Sequence, residues 1–320
     1  MGYGLKKSSN LCAGNLFPAF FVKEQTQRMK APHLFFIVNP SAGKDEPIVE
    51  QIGEVFRDSG TVITVHVLDK EEEPAELIRS VLNETDLVAV YGGDGSVTQA
   101  AAGLIGTGKP LLIIPGGTAN VFAKELGIPQ DTMEALKLFR DQKYRLQAVD
   151  TGLVNGRSFL LRVNLGIMAE MITETDPGLK DKIGQLAYGV AAVKSAVKTE
   201  PVAYHLTIDG KTAEATGVAL TVTNSGSIGI GGLQMYPEIS VNDGLLDIIL
   251  LKDAGLLSLL KAAGSSLLDQ TTDAVDHWTG KDITIRLPEK QVYLCDDCEA
   301  EAKELTLKVV PGSLTIAVPC

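Results

Sequence analysis

The sequence predicts two units in tandem, an α/β domain with a parallel sheet and then a mainly antiparallel β-sandwich. Three observations carry this prediction. Between about residues 34 and 126, short apolar runs alternate with stretches of helical period. Beyond about residue 145, strand-like runs dominate and Asn-Gly or Asp-Gly dipeptides recur between them. The 320 residues suffice for about two domains at roughly 150 residues each, each with its own core.

In the first half the strand candidates are residues 34–38, 62–67, 87–91 and 111–114, with helical stretches at 46–57, 74–83 and 96–105. These strands are continuously apolar rather than alternating, as a parallel sheet covered by helices on both faces requires. The βαβα order indicates an α/β sheet. In the second half the candidates are 146–154, 158–165, 203–208, 215–222, 245–251 and 283–287. Asn155-Gly156, Asp209-Gly210 and Asp243-Gly244 favour the turns in which both central residues take positive φ. Helical segments near 183–197 and 254–268 interrupt this pattern, and the whole reads as a sandwich or barrel. The boundaries follow: an extension over 1–30, the α/β domain over 31–145 and the sandwich over 146–311. With no internal repeat and no long linker, the two should pack with a cleft between them.

The net charge of −11 argues against a broad nucleic-acid footprint and against general attraction to an anionic bilayer. The glycines and prolines show no period, which excludes a collagen-like chain. Cys12, Cys295, Cys298 and Cys320 are too scattered for a disulfide framework, so a reducing compartment is expected. No apolar run reaches the roughly 18 residues a membrane span needs; the longest, at 255–268, is broken by Ser258, Lys261 and Gly264. Lys6 and Lys7 followed by the apolar stretch 16–22 resemble an export signal, but Pro18 interrupts it and no small-residue cleavage site follows. The expectation is no export, with Met29 closer to the natural start of the domain.

Three of the early strands run into small-residue loops: Asn39-Pro40-Ser41-Ala42-Gly43-Lys44, Gly92-Gly93-Asp94-Gly95-Ser96 and Pro115-Gly116-Gly117-Thr118-Ala119-Asn120. In an open α/β sheet, ligands bind outside the carboxyl ends of the strands. Glycine there admits close backbone approach, and N–H groups at the next helix start offer donors to a phosphate. Ser96 and Asn120 are the predicted N-caps of those helices. One glycine-rich turn is ordinary in α/β proteins. Three on one sheet edge, one holding an acid between glycines, point to a nucleotide or other phosphorylated ligand. It is not a P-loop, because Asp45 stands where Ser or Thr should follow Gly43-Lys44, and no G-x-G-x-x-G follows the first strand.

In order and spacing these three loops, the last continuing Val121-Phe122-Ala123, resemble the diacylglycerol kinase catalytic-domain family, which includes bacterial soluble lipid kinases and the sphingosine and ceramide kinases. The resemblance runs from about residue 34 to 319. Gly92–Gly95 alone is shared with NAD kinases; the Pro-Gly-Gly-Thr-Ala-Asn segment is what points to lipid kinases. The resemblance implies a first domain of NAD kinase/diacylglycerol kinase type that binds ATP, a β-sandwich second domain that takes the lipid, and a final strand, about 312–320, that returns to the first domain. It places Asn39, Pro40, Ser41, Ala42, Gly43, Gly92, Gly93, Asp94, Gly95, Ser96 and Thr118 at the nucleotide, with Asp94 organising the loop or a Mg²⁺ shell.

The family also carries a late Asp-Gly-Glu before a Pro-Gly-small-Leu segment. Here Asp297-Cys298-Glu299 precedes Pro311-Gly312-Ser313-Leu314. By resemblance Asp297 is the general base, Glu299 organises an acidic network together with Asp150, and Asp296 is the one-residue-shifted rival. Cys298 departs from the family's glycine and would be strained if that position needs positive φ. Cys295 and Cys298 form a C-x-x-C, but a zinc site lacks a second ligand pair, and a redox motif belongs at a helix start whereas 291–294 reads as a hairpin strand. The Asp243-Gly244 turn matches one that holds a structural Mg²⁺ in some bacterial members, with Asp243 as carboxylate and Ser240 and Leu245 as carbonyl donors; a plain turn without metal is the alternative. The leucine-rich 254–268 stretch reads as a helix on the sandwich rather than a bilayer anchor.

The expectation is an ATP- and Mg²⁺-dependent lipid kinase, cytoplasmic and peripheral at the membrane. Its partners would be ATP, a membrane lipid acceptor reached by transient contact and a second copy in a homodimer, with no nucleic acid. The alternatives are an NAD kinase-like small-molecule kinase and a non-catalytic nucleotide- or lipid-binding regulator.

Overall fold

The structure is a computed structural model of the chain and describes residues 32–42, 46–166, 169, 200–226, 238–253, 274–296 and 298–320. The extension 1–30 and the helices expected at 183–197 and 254–268 lie outside the described residues.

The first half alternates strand and helix: β1 His33–Val38, α1 Ile48–Phe56, β2 Val62–Val67, α2 Pro74–Val81, β3 Leu87–Gly92, α3 Asp94–Leu104, β4 Pro110–Pro115, α4 Val121–Glu125 and α5 Thr132–Arg140. Helical spacing decides α1, whose Ile48, Ile52, Val55 and Phe56 lie on one face and are buried. Pro74 opens α2, where its missing N–H costs nothing. Asp131 Oδ1 accepts from Glu134 N at 2.9 Å and caps α5, with Lys137 and Arg140 near its negative end.

The parallel strands lie in the order β4-β3-β1-β2. Chain order therefore reverses between β1 and β3, and a crevice opens at their carboxyl ends. β1, β3 and β4 are buried beyond their first residues, as their apolar runs predict. β2 is not: Val62 is 51% and Val67 46% exposed, because β2 is the sheet edge and has no strand beyond it among the described residues.

The second half comprises β5 Tyr144–Val154, β6 Arg157–Phe159, β7 Arg162–Gly166, β8 Val202–Ile208, β9 Lys211–Gly217, β10 Ala219–Thr223, β11 Leu246–Leu251, β12 Val275–Gly280, β13 Asp282–Cys295 and β14 Cys298–Pro319. Apart from one short parallel contact their pairing is antiparallel. Asn155-Gly156 and Asp209-Gly210 turn with positive φ at both residues, as their composition predicts; at 243–244 only Gly244 does so. Phe159, Val163, Tyr204, Ile248, Ile285 and Leu305 are among the residues filling the sandwich core.

The exception to antiparallel pairing ties the halves together. β14 runs along β13 and then β5, and its end pairs in parallel with β4 at Thr315–Pro110 and Ile316–Leu111. Val149, Leu314 and Ile316 consequently pack into the core of the first half.

Asp150 sits at this junction, almost wholly buried. Its Oδ1 accepts from Gly312 N at 2.7 Å and its Oδ2 from Gly244 N at 2.6 Å. Its own N–H donates to Val241 O, and its carbonyl accepts from Asn224 Nδ2. Asp150→Ala takes a buried acceptor away from Gly244 N and Gly312 N and should lower unfolding free energy by about 2 kcal/mol. Urea titration checks this against Asp209→Ala, whose carboxylate also holds two backbone donors but at an exposed turn, and which should lose less.

Candidate active site

A cleft of about 520 Å³ opens where the crevice is expected, lined by Val38, Asn39, Pro40, Ser41, Val67 and Tyr91 among others. Its floor is built from the first glycine-region loop. Asn39 N donates to Tyr91 O, joining the ends of β1 and β3, while Asn39 Oδ1 accepts from Ser41 N at 2.9 Å and curls the loop. Asn39 Nδ2 donates to Ser96 Oγ at 2.8 Å, linking this loop to α3. Ala42 borders the cleft, and Gly43 lies outside the described residues. Tyr91 faces the cleft, yet its buried hydroxyl has no hydrogen-bond partner among the described residues. Burial, and then the charge of Glu46, raise its pKa above that of an ordinary phenol.

The second and third loops pack against one another. A Cβ on Gly117 would lie 2.5 Å from Gly93 Cα, so the two backbones approach as only glycine allows. Gly92 ends β3 and Gly95 lies in the first turn of α3, while Thr118 is exposed on the rim. The capping differs from prediction. Ser96 is inside α3, which starts at Asp94 after Gly93, and its hydroxyl serves Asn39 instead. Asn120 does occupy the N-cap of α4, but in a left-handed conformation, φ 46°. Its side chain turns back to bond Gly117 N and Gly117 O and so closes the third loop. The cap of α4 comes from elsewhere in the chain: Asp94 Oδ1 accepts from Phe122 N at 3.1 Å. The acid between the glycines therefore joins the second loop to the third.

Across from these loops stands the β13–β14 hairpin. Asp296, at φ 51°, accepts from Leu160 N, Leu161 N and Arg162 N at 2.8–3.0 Å. Burial pushes its pKa up, against those donors and the Arg162 charge. Arg162 belongs to a charge cluster that sequence reading missed: burial lowers the pKa of its guanidinium, while Asp296, Asp94 and Glu125 act in the opposite sense. These three carboxylates come from the hairpin turn, the second loop and α4, so one cation faces acids of both halves. Glu125 Oε1 also reaches Gly226 N, at 3.4 Å. Arg162 sits in a strand among apolar residues, and an arginine at such a position is the signal that could have found it.

Asp297 lies outside the described residues. Its neighbour Cys298 opens β14, and Asp296, on the other side, takes a left-handed conformation at φ 51°. Glu299 is exposed beside Leu294 in the hairpin ladder. Asp150, the other acid expected in that network, accepts from Gly244 N and Gly312 N.

At the remaining turn, Asp243 Oδ1 accepts from Leu245 N and Ser240 Oγ donates to Asn242 Oδ1. Burial raises the Asp243 pKa, and the charges of Asp247 and Asp150 raise it further. Among the described residues no group of three or more His, Cys, Asp or Glu is placed to hold a metal, so this turn would offer one carboxylate and backbone carbonyls.

Glycine loops at a topological switch point, together with a β-sandwich that carries an acidic hairpin, define an α/β domain of phosphate-binding type followed by a sandwich domain. A diacylglycerol kinase catalytic domain matches residues 33–154, and a YegS C-terminal NAD kinase beta sandwich-like domain matches 161–318. The diacylglycerol kinase of Bacillus subtilis is 30% identical over 72% of this chain and 77% of its own length. A Klebsiella pneumoniae protein named "Probable lipid kinase YegS-like" is 28% identical over 90% of this chain and 96% of its own. A crystal structure of a diacylglycerol kinase from Bacillus anthracis shares the fold, with TM-score 0.72 over 91% of this chain and 98% of that one at 24% identity. Another from the same strain reaches TM-score 0.78 over 93% and 98% at 25% identity. The chain belongs to the diacylglycerol kinase and YegS-like family of lipid kinases.

Arg162→Met should cost on the order of 3 kcal/mol by leaving three acids without their cation. In urea titrations the Arg162→Met, Asp296→Asn double variant should lose less than the two single losses added, since both act on one cluster.

Proposed function

We propose that the protein transfers the γ-phosphate of ATP to the hydroxyl of a diacylglycerol-like membrane lipid. The observation that carries this reading is the position of Arg162, whose charge meets Asp94 of the phosphate-type loop and Asp296 of the acidic turn. It links the loop proposed for the donor with the turn proposed for the acceptor. The cleft beside Asn39 and Tyr91 receives the nucleotide. Tyr91, with a buried hydroxyl that lacks a partner among the described residues, suits a polar ligand there. N–H groups of the Gly92–Ser96 and Gly116–Asn120 loops bind phosphate oxygens.

Phosphoryl transfer depends mainly on positioning and on charge neutralisation. When bound, Mg²⁺ would neutralise phosphate charge, and Asp94 is the acid nearest in sequence to the loop that would hold it. Asp297 takes the proton from the lipid hydroxyl as its oxygen attacks phosphorus. The commitment of Asp296 to three backbone donors supports this choice, because it makes Asp296 the poorer candidate for accepting the hydroxyl proton. Glu299, exposed one residue past Cys298, orients the turn. Among the described residues no helix is long and apolar enough to cross a membrane, so the acceptor is reached by transient contact with the bilayer surface.

The test is transfer of labelled phosphate from Mg-ATP into mixed micelles of candidate lipids, with NAD as a parallel acceptor. Lipid labelling should fall by about 10²-fold or more in Asp297→Asn. Label in NAD alone would replace this reading by a soluble small-molecule kinase, and ATP binding without transfer would point to a regulator.

A second divalent cation belongs at the 240–245 turn, where it would relieve the crowding of Asp243 by Asp247 and Asp150. Millimolar Mg²⁺ should then raise the melting midpoint by a few degrees, as expected for about 2 kcal/mol of ligand linkage. Asp243→Asn should abolish that rise, and an unchanged rise would exclude the turn.

A further inference from the structure

The C-x-x-C of Cys295 and Cys298 plays no part in the chemistry above. In the structure its two residues are direct partners in the β13–β14 ladder, on either side of the Asp296-Asp297 turn. Opposed residues of an antiparallel pair project to the same face of the sheet. Both carry thiols. They are differently placed: Cys295 is 3% exposed within the sandwich core, whereas Cys298 is half-buried and its Sγ accepts from Arg157 Nη2 at 2.6 Å.

We infer that Cys295 and Cys298 are an oxidation site for peroxides and form a reversible disulfide that locks the turn carrying Asp296 and Asp297. Opposed Cβ atoms in a ladder stand about 5 Å apart. A disulfide needs about 3.8 Å, so closure must draw the strand ends together. Such a strained bridge is the readily reduced kind, suited to regulation rather than to structure.

The two environments set the order of steps. Cys298, the more accessible sulfur and the one beside a guanidinium, attacks a peroxide oxygen as thiolate. The O–O bond breaks, water or an alcohol leaves, and Cys298 becomes a sulfenic acid. Cys295 then attacks that sulfur; the S–S bond forms and the hydroxyl departs as water with the Cys295 proton. Two thiols are oxidised and one peroxide is reduced. Closure moves Cys298 Sγ away from Arg157 and fixes the hairpin end, whose Asp296 holds the backbone of residues 160–162. The consequence for phosphoryl transfer rests on the reading of Asp297 as base; the thiol chemistry does not.

The experiment treats the full chain with hydrogen peroxide, blocks remaining thiols and digests with trypsin. Lys290 and Lys303 bracket a peptide, 291–303, that contains both cysteines and no other. It should lose two hydrogens, recover them with dithiothreitol, and show no bridge in Cys295→Ala, where Cys298 should instead proceed to the sulfinic acid. Amide exchange at residues 160–162 should slow on oxidation. Phosphate transfer to lipid should fall at least fivefold in the oxidised wild type and recover on reduction. A 291–303 peptide that keeps both thiols, or that overoxidises at Cys298 while Cys295 stays reduced in wild type, overturns the site. A bridge that forms without change in amide exchange overturns the lock. Both readouts are independent of kinase activity, so failure of the lipid-kinase reading is scored separately.

Discussion

Much of the molecule hangs on one buried carboxylate. Asp150 gives both oxygens to glycine N–H groups, Gly244 in the turn after residue 240 and Gly312 where β14 breaks register with β5. Both glycines have positive φ, so the segments that reach Asp150 are ones that L side chains rarely allow. The break at Gly312 lies immediately before Leu314 and Ile316 enter the core of the first half and β14 meets β4. Remove the acid, and two bent segments lose the one buried acceptor that both of them share. The joining of the halves therefore depends on a charge that is hydrogen-bonded on every side, the condition under which a buried carboxylate is tolerated.

The second constraint is electrostatic and lies closer to the chemistry. A chain of net charge −11 has many acids to place, and several converge on Arg162. Asp94 caps α4, Asp296 gathers three backbone donors, and Glu125 reaches Gly226. Each thus has a local backbone function, and Arg162 offsets their combined charge. Such a centre favours keeping the second loop, α4 and the hairpin turn together, because parting a desolvated cation from its partners is costly.

The first half was legible because its signals are local. Apolar runs gave strands within a residue or two, and glycine loops marked the sheet edge that carries the cleft. What escaped depends on contacts distant in sequence. The stretch 158–165 reads as one strand but divides into β6 and β7, because Leu160 and Leu161 turn their amides to Asp296 some 135 residues later. The stretch 215–222 reads as one strand but divides at Val218, where the chain leaves β8 for β11 and β7. Ser96 and Asn120 have the composition of N-caps, yet the hydroxyl and amide find better-placed partners in Asn39 and Gly117, and the cap of α4 is supplied by Asp94. Edge position, not hydropathy, decides the exposure of β2.

The C-x-x-C shows the same limit most sharply. Spacing alone argues against it, since a redox pair of the usual kind sits at a helix start. The hairpin that disqualifies that reading is what sets the two sulfurs on one face of a two-residue turn. Asp296 holds the backbone of residues 160–162 and Cys295 lies in the core, while Cys298, opposite Cys295 in the ladder, is half-buried and in contact with Arg157. A covalent change at Cys298 therefore acts at the first residue of β14, next in the chain to the acid proposed as base, and that proximity is what would give a thiol leverage over the acid.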